Sequence, residues 1–195
     1  MDAGSGQRGN LVTSESTTYR LLRYFVPRND ELIRASLRII SGGQTGVDRG
    51  ALDAALQAGI PCGGWCPADC MAEDGVIDAC YGLAPLPQGG YAERTRRNVV
   101  DSDATLILYF GELEGGTALT AACCEKQGRP LLLIDALAMK PEEAAEMARD
   151  FVVRHAVQRL NVAGPRASKT PAAHGYASDT VARLLALLAA SANPG

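Results

Sequence analysis

The sequence predicts an α/β fold, a Rossmann-like three-layer sandwich with a mostly parallel central sheet, and three observations carry the prediction. From Leu37 onward, short apolar runs alternate with longer helical patterns, the signature of repeated βαβ units. The runs Thr105 to Phe110 and Leu131 to Ile134 are nearly all apolar, as strands covered on both faces must be. Two junctions where a run gives way to a helical pattern are rich in glycine.

Taken in order, residues 1 to 34 stand apart. The start is rich in Gly, Ser and Thr, and Tyr19 to Val26 is a short amphipathic piece ended by Pro27, which together read as a poorly ordered N-terminal extension with an appended helix or arm. Residues 35 to 195 read as one domain. Its strands are expected at Leu37 to Ser41, Ile60 to Gly64, Thr105 to Phe110, Leu131 to Ile134 and Leu160 to Ala163. Helices are expected at Val47 to Ala58, Tyr91 to Val100, Thr117 to Gln127, Pro141 to Arg159 and Asp179 to Ala190. Gly59 and Gly128 fall just past two of these helices, and Pro141 opens another ahead of Glu142 and Glu143, the punctuation that helix termini favour.

Composition narrows the function classes. A chain of 195 residues, 47% apolar, has enough length for one core without a metal or disulfide staple, since at this size folding buries roughly 70% of the unfolded surface. The net charge is −3, which supplies no basic field for nucleic acid. The basic residues are 16 Arg against 3 Lys, a bias toward the side chain that grips phosphate in a planar, bidentate way. The apolar stretch Val181 to Ala192 is interrupted by Arg183 and is shorter than the ~20 residues of a membrane span. No apolar segment of the signal-peptide kind lies in the first 18 residues, so the expected setting is cytoplasmic, with neither membrane nor nucleic acid as partner.

Three segments carry chemistry. Leu37-Arg-Ile-Ile-Ser-Gly-Gly-Gln-Thr-Gly-Val-Asp48 is a strand entering a Gly-rich turn that opens a helix, a geometry that aims backbone N–H groups and the helix dipole at an anion. In it Gly42, Gly43 and Gly46 allow close approach, and Ser41, Gln44 and Thr45 add side-chain hydrogen bonds. The turn is neither Gly-x-Gly-x-x-Gly nor a Walker A loop. Glu112-Leu-Glu-Gly-Gly-Thr117 forms a second such junction after Thr105 to Phe110, so Gly115, Gly116 and Thr117 belong at the same edge of the sheet. Two cradles on one edge imply an extended phosphorylated ligand. In the third segment, Tyr91, Arg94, Thr95 and Asn98 share one helical face that can stack on a ring and grip a phosphate.

Other residues are less directive. Cys62, Cys66, Cys70 and Cys80 cluster in sequence, but Cys-x₃-Cys-x₃-Cys matches no common zinc or iron–sulfur spacing. They read as small buried apolar side chains, with a soft-metal or molybdenum contact as the other reading. His155 and His174 have no nucleophile motif beside them. Asp48, Asp53, Glu73, Asp74, Asp78, Glu112 and Glu114 are divided by sequence only into acceptors for ring N–H groups and stabilisers of helix N-termini.

As an ordered set, Ile40 to Asp53, Gly64-Trp-Cys-Pro67, Glu73-Asp-Gly75, Tyr91 to Asn98, Asp101-Ser-Asp103, Glu114-Gly-Gly-Thr117 and Leu160 to Ser168 resemble the molybdenum-cofactor carrier family. That family is a circularly permuted branch of the Rossmann-like SLOG superfamily, kin to the lonely-guy phosphoribohydrolases. The resemblance covers about Leu37 to Leu188 and implies oligomerisation and binding of molybdenum cofactor, the phosphate-bearing molybdopterin. It implies one ligand loop at Gly42, Gly43, Gln44, Thr45 and Gly46 and another at Gly115, Gly116 and Thr117, with Arg94, Asn98, Gly164, Pro165 and Arg166 nearby. In the lonely-guy enzymes a glutamate follows the Gly-Thr turn and works with an arginine to cleave a nucleoside monophosphate. Here Thr120 stands where that acid would be.

The function expected from all this is binding, protection and transfer of molybdenum cofactor without catalysis, with molybdoenzyme acceptors as partners and a homo-oligomeric state. The alternatives are a phosphoribohydrolase-type enzyme, using Arg94 for phosphate and one of Glu112, Glu114 or Asp48 as general base, and a nucleotide-ligand sensor.

Overall fold

The structure is a computed structural model that describes residues 29–190. The amphipathic piece at Tyr19 to Val26 lies outside the described residues. Helix α1 (Asn29–Ser36) leads into β1 (Arg38–Ile40), α2 (Val47–Gln57) and β2 (Cys62–Cys66). A hairpin of β3 (Met71–Ala72) and β4 (Gly75–Val76) follows, then a 3₁₀ turn at Ala79–Tyr81, β5 (Leu83–Pro85) and α3 (Tyr91–Val100). The chain continues through β6 (Ala104–Tyr109), α4 (Gly115–Gln127), β7 (Leu131–Asp135), α5 (Pro141–Arg154), β8 (Arg159–Ala163) and α6 (Ala173–Ala190).

Six strands form one parallel sheet in the order β5-β2-β1-β8-β6-β7. The last strand fills the slot between β1 and β6: Leu160 pairs with Ile39 on one side and Ala104 on the other. Helices α1, α2, α5 and α6 pack together on one layer, and α3 packs with α4. Between them β6 is buried from Ala104 to Leu108, which accounts for its apolar sequence. Helix α1 is joined to this core by Ile33, so the sequence boundary at 34 and 35 falls inside that helix.

Element ends follow from local chemistry. Helix α2 closes in a Schellman motif, with Ile60 N bonded to Ala55 O and Gly59 N to Leu56 O. Ile60 is therefore spent on the cap, and the strand begins at Cys62 and not at Ile60 as the apolar run predicts. Helix α5 closes in the same way, with Val157 N on Val152 O, but the left-handed residue is Ala156 at φ 48°. With no glycine to mark that stop, the helical pattern reads through to Arg159, five residues too far. Helix α6 errs in the other direction: it begins at Ala173, because Gly50 of α2 lets His174 O approach to 2.3 Å from where a Cβ would stand. Helix α4 likewise starts at Gly115, before the expected Thr117. Strand β5 was not anticipated; Pro85 sits on the sheet's edge, where its missing N–H is tolerated.

Placing an alanine in the left-handed region costs on the order of 1 kcal/mol. Ala156→Gly is therefore expected to stabilise the protein by up to about 1 kcal/mol, read as a higher midpoint in urea unfolding; a lower midpoint would show that the strain at this cap is negligible.

Candidate functional site

Because β8 lies between β1 and β6, the loops leaving the carboxyl ends of these three strands meet at the place where the connections diverge to opposite layers, the usual ligand crevice of an open parallel sheet. A cavity of about 620 Å³ opens there. Its walls include Gly42 and Gln44 after β1, Tyr109, Phe110, Glu112 and Glu114 after β6, and Gly164, Pro165, Arg166 and Lys169 after β8. Tyr91, Arg94, Thr95 and Asn98 all line it, so the helical face read from the sequence is the face that meets the cavity.

The first Gly-rich loop is held mainly by protein partners. Ser41 Oγ donates to Val162 O at 2.7 Å, fastening the end of β1 to β8. Gly43, at φ 75°, turns its carbonyl to Arg49 Nη2 at 3.1 Å. Gln44 Oε1 accepts from Thr45 N at 3.0 Å and from Glu73 N at 2.9 Å. Gly46, at φ 79°, has no room for a side chain, since a Cβ would sit 2.3 Å from Pro165 O, and that same carbonyl accepts Val47 N at 3.1 Å. The N-terminus of α2 is thus capped by the loop after β8. Ser41, Gly43, Thr45 and Gly46 shape the loop and do not line the cavity; Gly42 and Gln44 do.

The second cradle differs. Gly115, Gly116 and Thr117 all line the cavity, and Glu114 makes no side-chain cap to α4. The first N–H groups of an α-helix have no intrahelical partner. The amides of Gly115 and Gly116 therefore offer the cavity donors and the positive end of the helix dipole together.

Arg94 lies against Gly42, where a Cβ would come within 1.3 Å of its Nη1. Its guanidinium reaches Asp48 Oδ2 at 2.6 Å, both side chains being nearly buried, and its Nε is buried without a hydrogen-bond partner. The pair ties α3 to α2 across the end of β1. Asn98, from the next turn of α3, spends its amide on β2: Oδ1 accepts Trp65 N at 2.8 Å and Nδ2 donates to Trp65 O at 3.1 Å. Asn98 thus forms part of the wall while it also braces the sheet.

A carboxylate outside the cavity holds the β8 loop in place. Glu73, at the tip of the β3–β4 hairpin, accepts from the Thr45 hydroxyl, from Ser168 N at 3.0 Å and from Ser168 Oγ at 2.5 Å, and lies 3.5 Å from Arg166 Nε. Partial burial pushes its carboxyl up, but the bonds from Ser168 and Thr45 and the Arg166 charge outweigh that, so it titrates below its ordinary range. Lys169 pairs with Glu114 across the rim.

The structure sorts the remaining carboxylates. Asp48, Glu112 and Glu114 line the cavity. Asp74 pairs with Arg49 at 3.2 Å, Asp78 accepts Cys80 N at 2.8 Å, and Asp53 accepts Tyr81 Oη at 2.7 Å and meets His174 Nε2 at 2.7 Å. Thr120 is buried, its hydroxyl donating to Gly116 O at 2.8 Å. Sequence reasoning missed Asn161, Lys169, Tyr109 and Phe110 as cavity residues. Asn161, a polar residue inside an apolar strand, was the available signal; its Nδ2 donates to Thr105 Oγ1 at 3.2 Å. Cys62, Cys66 and Cys124 are buried, as expected of apolar cysteines, but Cys80 is exposed. Among the described residues no group of three or more His, Cys, Asp or Glu could hold a metal, and no helix is long and apolar enough to cross a membrane.

This fold and crevice define a Rossmann-like ligand-binding protein. The chain belongs to the circularly permutated YpsA SLOG family, whose model matches residues 39–185. A crystal structure of a putative molybdenum carrier protein from Syntrophus aciditrophicus SB is similar at 44% identity and a TM-score of 0.74, over 76% of this chain and 94% of that one. The Escherichia coli tRNA N6-threonylcarbamoyladenosine dehydratase TcdA aligns at 14% identity over 93% of this chain and 99% of that one, with a TM-score of 0.37, too low to carry an argument. No curated protein matches the sequence.

Since the folded Glu73 carboxyl titrates below its unfolded value, its contribution is present above the ordinary carboxylate range and is lost as pH falls through the lowered pKa. Glu73→Gln is expected to cost about 1 kcal/mol near neutral pH, the scale of partly exposed bonds to a charged group. The gap between variant and wild type should close in acid. Urea unfolding of both proteins at neutral and acidic pH checks this, and a gap independent of pH would mean that the charge on Glu73 is not what secures the loop.

Proposed function

We propose that the protein binds a phosphorylated heterocycle in this cavity and that molybdenum cofactor is the ligand it carries, protects and passes on. The observation that supports this most directly is the meeting, in one cavity of about 620 Å³, of the open α4 N-terminus with an apolar wall of Tyr109, Phe110 and Leu119. The phosphate belongs at the amides of Gly115 and Gly116 with the Thr117 hydroxyl, and Lys169 adds a cation at the rim. Tyr91, Tyr109 and Phe110 give a flat ring apolar surface, and Glu112 and Glu114 supply acceptors for the N–H groups that a pterin presents.

The residues fit such a cargo. The Arg94 guanidinium packs into the space that Gly42 leaves by having no side chain, at the cavity wall, and its buried Nε lacks a partner within the protein. The likeness to a putative molybdenum carrier protein at 44% identity favours the same choice of ligand. The lonely-guy type of chemistry is disfavoured by Thr120, which places a back-bonded hydroxyl where that reaction uses a glutamate.

The test is an anaerobic titration with isolated molybdenum cofactor, with AMP and GMP in parallel and product analysis of the nucleotide samples. Tight, stoichiometric cofactor binding without nucleotide cleavage is expected. Release of free base together with weak cofactor binding would overturn the carrier reading in favour of a hydrolase.

Two variants locate the phosphate. Lys169→Ala is expected to weaken binding about 5-fold, near 1 kcal/mol, without loss of stability, because the side chain is half exposed. Gly116→Asp, which sets a carboxylate at the start of α4, is expected to weaken it by more than about 10-fold. If neither variant moves the titration curve, the phosphate does not lie at α4.

A further inference from the structure

We infer that Cys66 and Cys70 form a redox-active dithiol that closes to a disulfide and thereby acts on the start of α3. Cys66 ends β2 and is buried, whereas Cys70 is partly exposed. A turn closed by Cys70 N on Pro67 O at 2.9 Å folds the intervening residues back, and the Cys66 thiol donates to Cys70 Sγ at 3.7 Å. Cys70 holds φ at 55°, a left-handed conformation rare for a residue with a side chain. A glycine or asparagine would relax there, so the cysteine occupies that position at a conformational cost. Closing the bond to about 2.05 Å requires a small approach of two sulfurs already in contact.

A metal is the other use of paired thiols, but no third ligand accompanies these two: among the described residues no group of three or more His, Cys, Asp or Glu could hold an ion. The chemistry left is covalent. Cys70, the accessible sulfur, attacks as thiolate one sulfur of a low-molecular-weight disulfide, expelling one thiolate and forming a mixed disulfide. Cys66 then gives up its proton and attacks Cys70 Sγ, expelling the second thiolate. Two S–H bonds are lost and one S–S bond forms in the protein, while the reagent's S–S bond is reduced and takes up two protons. Burial and the neighbouring Cys70 thiol push the Cys66 thiol up to about 11. That slows its attack near neutral pH, where little of it is thiolate, but a thiol of high pKa is also a poor leaving group, so the bond once closed resists reduction at Cys70.

The turn is fastened to the wall of the cavity. Ala68 N donates to Gly89 O at 3.3 Å, just ahead of the Gly90 N-cap of α3, and Tyr91 Oη reaches Met71 O at 3.5 Å. Cys66 O accepts Leu86 N at 3.1 Å and Cys70 O accepts Ile77 N at 2.8 Å. With both ends anchored, drawing the sulfurs together moves the middle of the turn and with it the first residues of α3, the helix that carries Tyr91 and Arg94.

The experiment incubates the full chain with glutathione disulfide, quenches in acid, alkylates free thiols and maps the peptides by mass spectrometry. Cys66 linked to Cys70, with two hydrogens lost, is the expected product. In Cys66→Ser, where nothing can resolve the adduct, Cys70 should instead retain glutathione. The inference is overturned if wild-type Cys66 and Cys70 both remain alkylatable while the exposed Cys80 carries glutathione, or if wild-type Cys70 keeps the adduct. Hydrogen exchange of residues 90–94 tests the coupling: a several-fold change on oxidation, absent in Cys66→Ser treated alike, is expected, and identical exchange in the two wild-type redox forms would refute the link to α3.

Discussion

The structure depends first on the seating of β8 between β1 and β6. A parallel strand in the middle of a sheet must satisfy both of its edges, and β8 pairs with β1 over Arg159 to Asn161 and with β6 over Leu160 to Ala163, while Ser41 Oγ adds a bond to Val162 O. That insertion brings the carboxyl ends of three strands together, and the loop after the last strand becomes part of a crevice whose other parts come from α3 and from the segments that follow β1 and β6. Pro165 then caps α2, and Gly46 exists to admit it.

Charge in the crevice is managed by pairing. Arg94 and Asp48 are both nearly buried, and either alone would carry a large desolvation cost. Together they join two helices and leave the open dipole of α4 as the unspent positive element among the cavity walls described. Glu73 performs the corresponding service outside the cavity, gathering the first Gly-rich loop and the β8 loop onto one carboxylate. The two glycine-rich turns, alike in sequence, thus have different uses: one is consumed in building the crevice and the other faces what enters it.

Where the sequence misled, the cause was a local rule overridden by its surroundings. Ala156 takes a left-handed conformation that glycine usually marks, so the end of α5 gave no sign of itself. The opposite happened at α6, which begins at Ala173, ahead of the expected Asp179, and there His174 O packs against Gly50 of α2. The helical face of Tyr91, Arg94, Thr95 and Asn98 was fully legible because periodicity alone assigns residues to a face. Lys169 and Asn161 were not legible as cavity residues, since nothing local says which loops will meet.

By itself the sequence determined the alternation of strands and helices, the buried character of β6, both glycine-rich junctions and the set of motifs that marks the family. These are short-range properties: periodicity, turn chemistry and residue order. Only the tertiary structure decided that β8 would lie between β1 and β6, that Asp48 would neutralise Arg94, and that Pro165 would cap the first amide of α2 while the start of α4 faces the cavity. Each of those depends on contacts between residues far apart along the chain, such as Pro165 with Val47, for which pattern carries no signal until the sheet has assembled.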